Sequence, residues 1–217
     1  MALAIFDLDN TLLAGDSDYL WGQFLIKKGI VEKTYYEAEN QRYYDEYKLG
    51  TLNILEFLAF SLEPLSQHDM SDLDRWREEF LAYDIKQILL PKAFELIESH
   101  KQKGDELLII TATNRFVTQP IAKLLGIEHL LATEPAIENG RYTGQVEGVP
   151  CFQEGKVTRL NEWLLERKCS MEGSWFYSDS HNDLPLLKLV THPVVVDPDE
   201  QLQSYAKQQQ WSQISLR

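Results

Sequence analysis

Ala2-Leu3-Ala4-Ile5-Phe6-Asp7-Leu8-Asp9-Asn10-Thr11 opens the chain with an unbroken apolar run that ends in two carboxylates and a threonine. The apolar run reads as a strand buried on both faces, as strands of a parallel sheet are. Side chains at i and i+2 of a strand point to one side, so Asp7 and Asp9 share the carboxyl edge, where open α/β sheets bind ligands. Two anions so close call for a metal or a shared proton. Taken alone, Asp-x-Asp reads equally as a strand running into an acidic turn, so the partners must be sought downstream.

Beyond residue 13 the character changes. Residues 16–85 contain no convincing strand. Apolar-periodic segments run from Tyr19 to a stop at Gly29, from Val31 to Leu49 with Gly50 closing, and from Leu52 to Leu62 with Pro64 ending them; Ser66 or Ser71 is the expected cap of a fourth. After Pro91, strands and helices alternate. Helices are expected over 93–103, 115–125, 156–168 and 184–190, and strands over 106–110, 129–132, 175–177 and, last, 193–196. Glu138-Asn139-Gly140-Arg141 has hairpin-turn chemistry. The expected fold is α/β, a doubly wound Rossmann-like parallel sheet built from residues 1–13 and 87–217, with an α-helical cap inserted as residues 14–86.

The 217 residues are 44% hydrophobic, enough for one full core with a subdomain. A formal net charge of −13 argues against nucleic acid and against anionic membrane surfaces as partners. A small phosphorylated metabolite remains open, because one metal and one lysine reverse the sign locally. Cys151 and Cys169 lack metal-ligand spacing and read as reduced thiols of a cytoplasmic protein, monomer or dimer. No run approaches the ~20 apolar residues of a membrane span. Gln208-Gln209-Gln210 reads as a polar tail.

Each expected core strand ends in polar residues. Thr111-Ala112-Thr113-Asn114 follows the second strand, where a hydroxyl and helix-start amides are placed to hold phosphate. Ser178-Asp179-Ser180-His181-Asn182-Asp183 follows a later one, and Gly155-Lys156 starts a helix between them. Singly, these are a cap, turn residues and a solvated lysine. Together they supply a nucleophilic carboxylate, an acid/base, a metal site, and a cation and hydroxyl for phosphate oxygens, the parts phosphoryl transfer through an aspartate requires.

In that order and on those elements, Asp7-x-Asp9-x-Thr11, Thr111, Lys156 and Asp179-x-x-Asn182-Asp183 resemble the four motifs of the haloacid dehalogenase superfamily of phosphatases, over residues 4–190. The resemblance implies Asp7 as nucleophile, Asp9 as acid/base, and Mg²⁺ held by Asp7, the Asp9 backbone carbonyl and Asp179. Asp183 stands behind the ion or as a weaker ligand. Lys156, Thr111 and Ala112 would bind the phosphoryl group, and Asn182 would hold that end of the site in place. Asn10 replaces the serine or glycine common in relatives. His181 reads as a loop residue, and the tyrosines from Tyr35 to Tyr47 as cap core and surface, with at most one ring in the pocket.

Motif spacing is most similar to phosphoserine phosphatases, in which a glutamate nine residues after the nucleophile reads the substrate amine. Asp16 occupies that place, as an amine reader or as a helix cap, and Asp18 carries the same two readings. The arginine that grips the substrate carboxylate in those enzymes has no counterpart; an ungapped extension places Ser61 there. An acid kept and an arginine lost suggest an amino-alcohol phosphate without a carboxylate. Histidinol phosphate fits, and the overall sequence resembles the bacterial histidinol-phosphate phosphatases, which implies it as the expected substrate, with phosphoserine or another small metabolite phosphate as the alternative. A phospho-aspartate signalling receiver lacks a counterpart of Asp9 and of the cap. A phosphotransferase shares the first step and is not separable by sequence.

Overall fold

The computed structural model describes residues 2–217. Strands β1 (Leu3–Phe6), β2 (Glu106–Asn114), β3 (His129–Glu138), β4 (Arg141–Glu147), β5 (Trp175–Ser178), β6 (His192–Val196) and β7 (Ser212–Ile214) form one sheet in the order β4-β3-β2-β1-β5-β6-β7. All neighbours are parallel except the β3–β4 pair. The opening apolar run is therefore an interior strand, and its alternation divides the core in two. Ala4 and Phe6 point to one face with Ile109 and Val196; Leu3 and Ile5 point to the other with Leu108 and Phe176.

Helices α5 (Pro91–Lys103) and α6 (Arg115–Leu124) cover the first face through Ile97, Phe116 and Ile121. The second is covered by α7 (Glu154–Arg167), α8 (Leu184–Leu187) and α9 (Glu200–Gln209) through Leu160, Leu187 and Leu202. This is the expected doubly wound α/β fold. Ile5 has no exposed surface, and trimming it to alanine would cost about 2–5 kcal/mol.

Between β1 and β2 lie α1 (Ser17–Lys27), α2 (Lys33–Leu49), α3 (Ile54–Gln67) and α4 (Met70–Tyr83). Where the chain leaves and re-enters the sheet, Leu13 and Leu89 form an isolated antiparallel bridge and Ala14 N donates to Ile88 O at 2.8 Å. Trp21 stacks on Phe24 and meets Phe80 and Phe116 edge-on, so the helical layer's apolar interior continues into the first face of the core.

Several element ends differ from the sequence expectation. Pro64 does not end α3, because buried Leu62 and Leu65 carry the helix past the one hydrogen bond that proline removes. Neither Ser66 nor Ser71 caps α4; Asp69 holds the cap position without a capping bond and pairs with Arg141 on β4. The helix expected over 184–190 closes after Leu187. Strand β6 is not the last, since α9 and β7 follow, and Gln208–Gln210 end α9 rather than forming a tail. Strands β2 and β3 run on beyond Ile110 and Ala132, and the expected hairpin joins β3 to β4 with positive φ at both Asn139 and Gly140.

Candidate active site

The carboxyl ends of β1, β2 and β5 deliver the polar residues to one place. Asp7 N donates to Tyr177 O at 2.9 Å, extending the β1–β5 pairing into the first acid. Beyond it, Leu8 O accepts from Leu12 and Leu13 N in a tight turn whose Leu8, Leu12 and Leu13 side chains are buried. Asn10 has φ of 56°, a left-handed conformation that asparagine tolerates better than most side chains. The turn points Asp7 and Asp9 to the sheet edge while its leucines anchor it.

Lys156 Nζ lies 2.7 Å from Asp7 Oδ1 and 2.7 Å from Asp183 Oδ1, with all three side chains buried. Ser178 Oγ donates to Asp183 Oδ2 at 2.7 Å, which fixes that carboxylate from behind. Lys156 is placed by the start of α7, where Gly155 sits so close to Pro150 O that a Cβ would fall 2.0 Å from it. No larger residue fits there without moving the lysine. Thr11 Oγ1 donates to Asp179 Oδ1 and accepts from Asp179 N, both at 3.1 Å.

Asp9 is held from two sides, Oδ1 accepting from Ser17 N at 2.6 Å and Oδ2 from Thr113 Oγ1 at 2.8 Å. Asn182 Nδ2 donates to Tyr47 O on α2 at 3.0 Å, and Asn182 Oδ1 accepts from Gln153 Nε2 at 2.9 Å. Asn182 thereby joins the β5 loop to the helical layer. Thr111 and Ala112 line the pocket, but both are still in extended β2. The cap of α6 is Asn114, which accepts from Val117 N, so Ala112 offers a strand-edge amide rather than a helix-start one.

Burial dominates the electrostatics. It raises Asp7 to about 7, although Lys156 pulls the other way and Asp183 adds to the rise. Burial and the nearby Asp16 raise Asp9 to about 6, opposed by the donors Ser17 and Thr113. Asp179 is pushed well above the usual carboxylate range by burial and then by Asp7 and Asp183. Lys156 is held far above its ordinary value: burial lowers it, but Asp183 and Asp7 more than compensate. Asp7 and Asp183 thus share one cation, and Asp179 adds a third negative charge to the cluster.

That deficit of positive charge fits a divalent ion, and the donor set is all oxygen, as Mg²⁺ prefers. Asp7 Oδ2 accepts no hydrogen bond among the described residues. No group of three or more His, Cys, Asp or Glu side chains there is arranged to hold a metal. The set implied by resemblance is compatible with this, since it uses only two side chains, Asp7 and Asp179, with the Asp9 carbonyl as the third donor.

The pocket above these residues is walled by Asp16, Asp18, Asn40 and a ring of aromatics, among them Tyr19, Tyr43, Tyr44, Tyr47 and Phe57. More than one tyrosine therefore faces the pocket, contrary to the sequence expectation, while Tyr36 is core and Tyr35 is exposed. Asp16 caps α1, its Oδ1 accepting from Asp18 N and Tyr19 N, and its carboxylate still lines the pocket. Ser61 is buried and does not line the pocket, and no arginine does. Arg42 is bound on the outside of α2 by Glu39 and Glu46.

Sequence reasoning missed Thr113, which was findable, since it lies two residues from Thr111 on a strand and so faces the same edge. Of the two readings of Asp18, the cap falls to Asp16, and Asp18 lines the pocket. His181 is not a free loop residue: Nδ1 pairs with Asp199 Oδ2 at 2.8 Å, and Nε2 packs against Gly50 at the end of α2.

Comparison with known proteins agrees with this geometry. The haloacid dehalogenase-like hydrolase family matches residues 4–188. A histidinol-phosphatase of Neisseria meningitidis is 44% identical over 219 residues, covering 99% of each chain. A crystal structure of a protein of unknown function from Bordetella pertussis superposes with a TM-score of 0.94 at 40% identity, covering 100% of this chain and 99% of that one. A substrate-bound phosphoserine phosphatase shares the fold, with a TM-score of 0.70 at 18% identity over 94% of this chain and 89% of that one. With its four motifs brought to one sheet edge and the match spanning most of its length, the chain belongs to the haloacid dehalogenase-like hydrolases and is a phosphatase of small phosphorylated substrates.

Proposed function

We propose that the protein is a Mg²⁺-dependent phosphomonoesterase that hydrolyses histidinol phosphate through an aspartyl-phosphate intermediate. One observation carries the substrate assignment: the pocket wall presents the buried acid Asp18, the half-buried acid Asp16 and several aromatic faces, and no arginine. A substrate carboxylate would meet only repulsion there, whereas a protonated amine on a flat aromatic body meets complementary charge and stacking surface. The 44% identity to a histidinol-phosphatase supports the same reading. Phosphoserine, the substrate class suggested by the shared fold alone, would leave its carboxylate unpaired.

In this mechanism Asp7 attacks phosphorus while Lys156 and Thr111 hold the phosphoryl oxygens. Asp9, raised towards neutrality and aimed by Ser17 N and Thr113 Oγ1, gives its proton to the leaving alcohol. It then takes one from the water that cleaves the acyl phosphate. Bound by Asp7, the Asp9 carbonyl and Asp179, Mg²⁺ would supply charge neutralisation at the phosphoryl oxygens. The test is phosphate release with Mg²⁺ from histidinol phosphate and phosphoserine, beside Asp7→Asn. Histidinol phosphate should be the better substrate, and the variant should be inactive. The reverse substrate order would sink the assignment.

A further inference from the structure

The pocket wall contains a carboxylate that this chemistry does not use. Asp18 lies in the first turn of α1, nine-tenths buried, and lines the pocket beside Asp16. Its polar partner among the described residues is Asn114, whose Nδ2 is 3.5 Å from Asp18 Oδ1, a long contact. No cation among the described residues pairs with it. Burial pushes its carboxyl well above the usual range, and Asp16 and Asp9 push it further.

Folding does not explain this residue. Asp16 already caps α1, so Asp18 has no capping work to do. An acid in the first turn gains about 0.3–1 kcal/mol from the helix dipole. Burying a carboxylate without a strong partner costs several kcal/mol, so that gain does not offset it. An asparagine or serine would serve α1 as well at less cost. The carboxylate is therefore a binding group awaiting a donor, and the aromatic rings of Tyr19, Tyr43 and Phe57 line the same pocket.

We propose that Asp18 is a specificity-determining residue that receives a second nitrogen of the substrate, on a flat basic heteroaromatic ring, while Asp16 receives the amine. This rests on the amino-alcohol phosphatase reading and adds to it: the enzyme selects substrates carrying two separated basic nitrogens rather than one. The aromatic faces hold the ring by stacking, and Asp18 reads its N–H edge.

The experiment compares three substrates that share the amino-alcohol phosphate and differ in the ring: imidazole, pyrazole of the same size but far weaker basicity, and phenyl. Wild type should favour imidazole over pyrazole about 10- to 100-fold in kcat/KM, chiefly through KM, the range of a hydrogen bond to a charged group. In Asp18→Asn that ratio should fall towards one, whereas Asp16→Asn should weaken all three substrates alike. A ratio unchanged in Asp18→Asn, or no wild-type preference between imidazole and pyrazole, overturns the assignment. If Asp18→Asn fails to melt cooperatively, the wild-type ring series decides alone. Turnover of p-nitrophenyl phosphate with none of the three amino-alcohol phosphates hydrolysed overturns the substrate reading itself, and Asp18's role with it.

Discussion

Replacing Asp7 with asparagine should change how the metal-free protein responds to pH, and the size follows from the site. Asp7 rises from 3.8 to about 7 on folding, chiefly because it is buried. The folded state thus binds that proton more tightly than the unfolded chain, so the stability it contributes is full below 3.8 and gone above about 7. Between pH 5.5 and 8 the linkage integral covers about 1.5 pK units, or about 2 kcal/mol at 1.36 kcal/mol per unit. At this chain length, that is a fall in Tm of about 4–8 °C on going to the higher pH. His100 acts with opposite sign in the same window, since burial lowers its pKa and its contribution is lost as pH falls below 6.5. The diagnostic is therefore the difference between wild-type and Asp7→Asn slopes, measured by thermal melts in EDTA. Saturating Mg²⁺ should restore wild-type Tm more at pH 8 than at pH 5.5, because protons compete with the ion for the same carboxylates. Parallel slopes for the two proteins would refute the claim that Asp7 is destabilised by burial in the absence of metal.

Lys156→Met should lower kcat by about 10³-fold or more, since it removes the cation facing the phosphoryl site and leaves Asp7 and Asp183 buried without a counter-charge; steady-state kinetics with a circular-dichroism control checks it. Thr113→Val removes one of the two donors that aim Asp9 and should lower kcat about 10-fold with KM little changed, a split that a merely destabilised protein would not give. His100→Phe breaks hydrogen bonds of 2.8 Å to both Asp105 and Tyr177 on the far side of the sheet edge, and should cost about 2–4 kcal/mol in urea unfolding while kcat stays at the wild-type value.

The parts of this molecule readable from sequence were those set by local pattern. Leu3 to Phe6 could only be a strand buried on both faces, and the glycines at 50, 104 and 126 marked helix ends because each takes a positive φ there. Asn139-Gly140 announced its hairpin for the same reason. What was not readable was set by tertiary burial. Pro64 sits inside a helix because Leu62 and Leu65 are held by the core on either side of it. Ser212-Gln213-Ile214 has no strand pattern of its own and becomes β7 by pairing with Val194–Val196. The site divides in the same way. Asp7, Lys156 and Asp183 were recognisable by type and order, yet only the fold shows Lys156 divided between two carboxylates. The tyrosines of α2 were visible as a cluster, but which of them face the pocket depends on how α2 packs on α1 and meets the β5 loop.

A net charge of −13 argues against binding a phosphate dianion only if the charge is spread evenly, and here it is not. The positive charge of the pocket is concentrated in Lys156, which is already shared by Asp7 and Asp183. The remaining acids form two tiers, Asp7, Asp9, Asp179 and Asp183 at the sheet edge and Asp16 and Asp18 on α1. An anionic substrate entering this arrangement alone would be repelled by both tiers. With the divalent cation of the proposed mechanism beside Lys156, the lower tier would become receptive to the phosphate. The upper tier lies outside the ligand set proposed for that ion and would be paired by charge the substrate itself carries. The same acidity that weakens attraction to simple phosphate esters therefore works as a filter. Esters with basic nitrogens placed to reach Asp16 and Asp18 meet attraction at both levels, and carboxylate-bearing esters meet it at one and repulsion at the other.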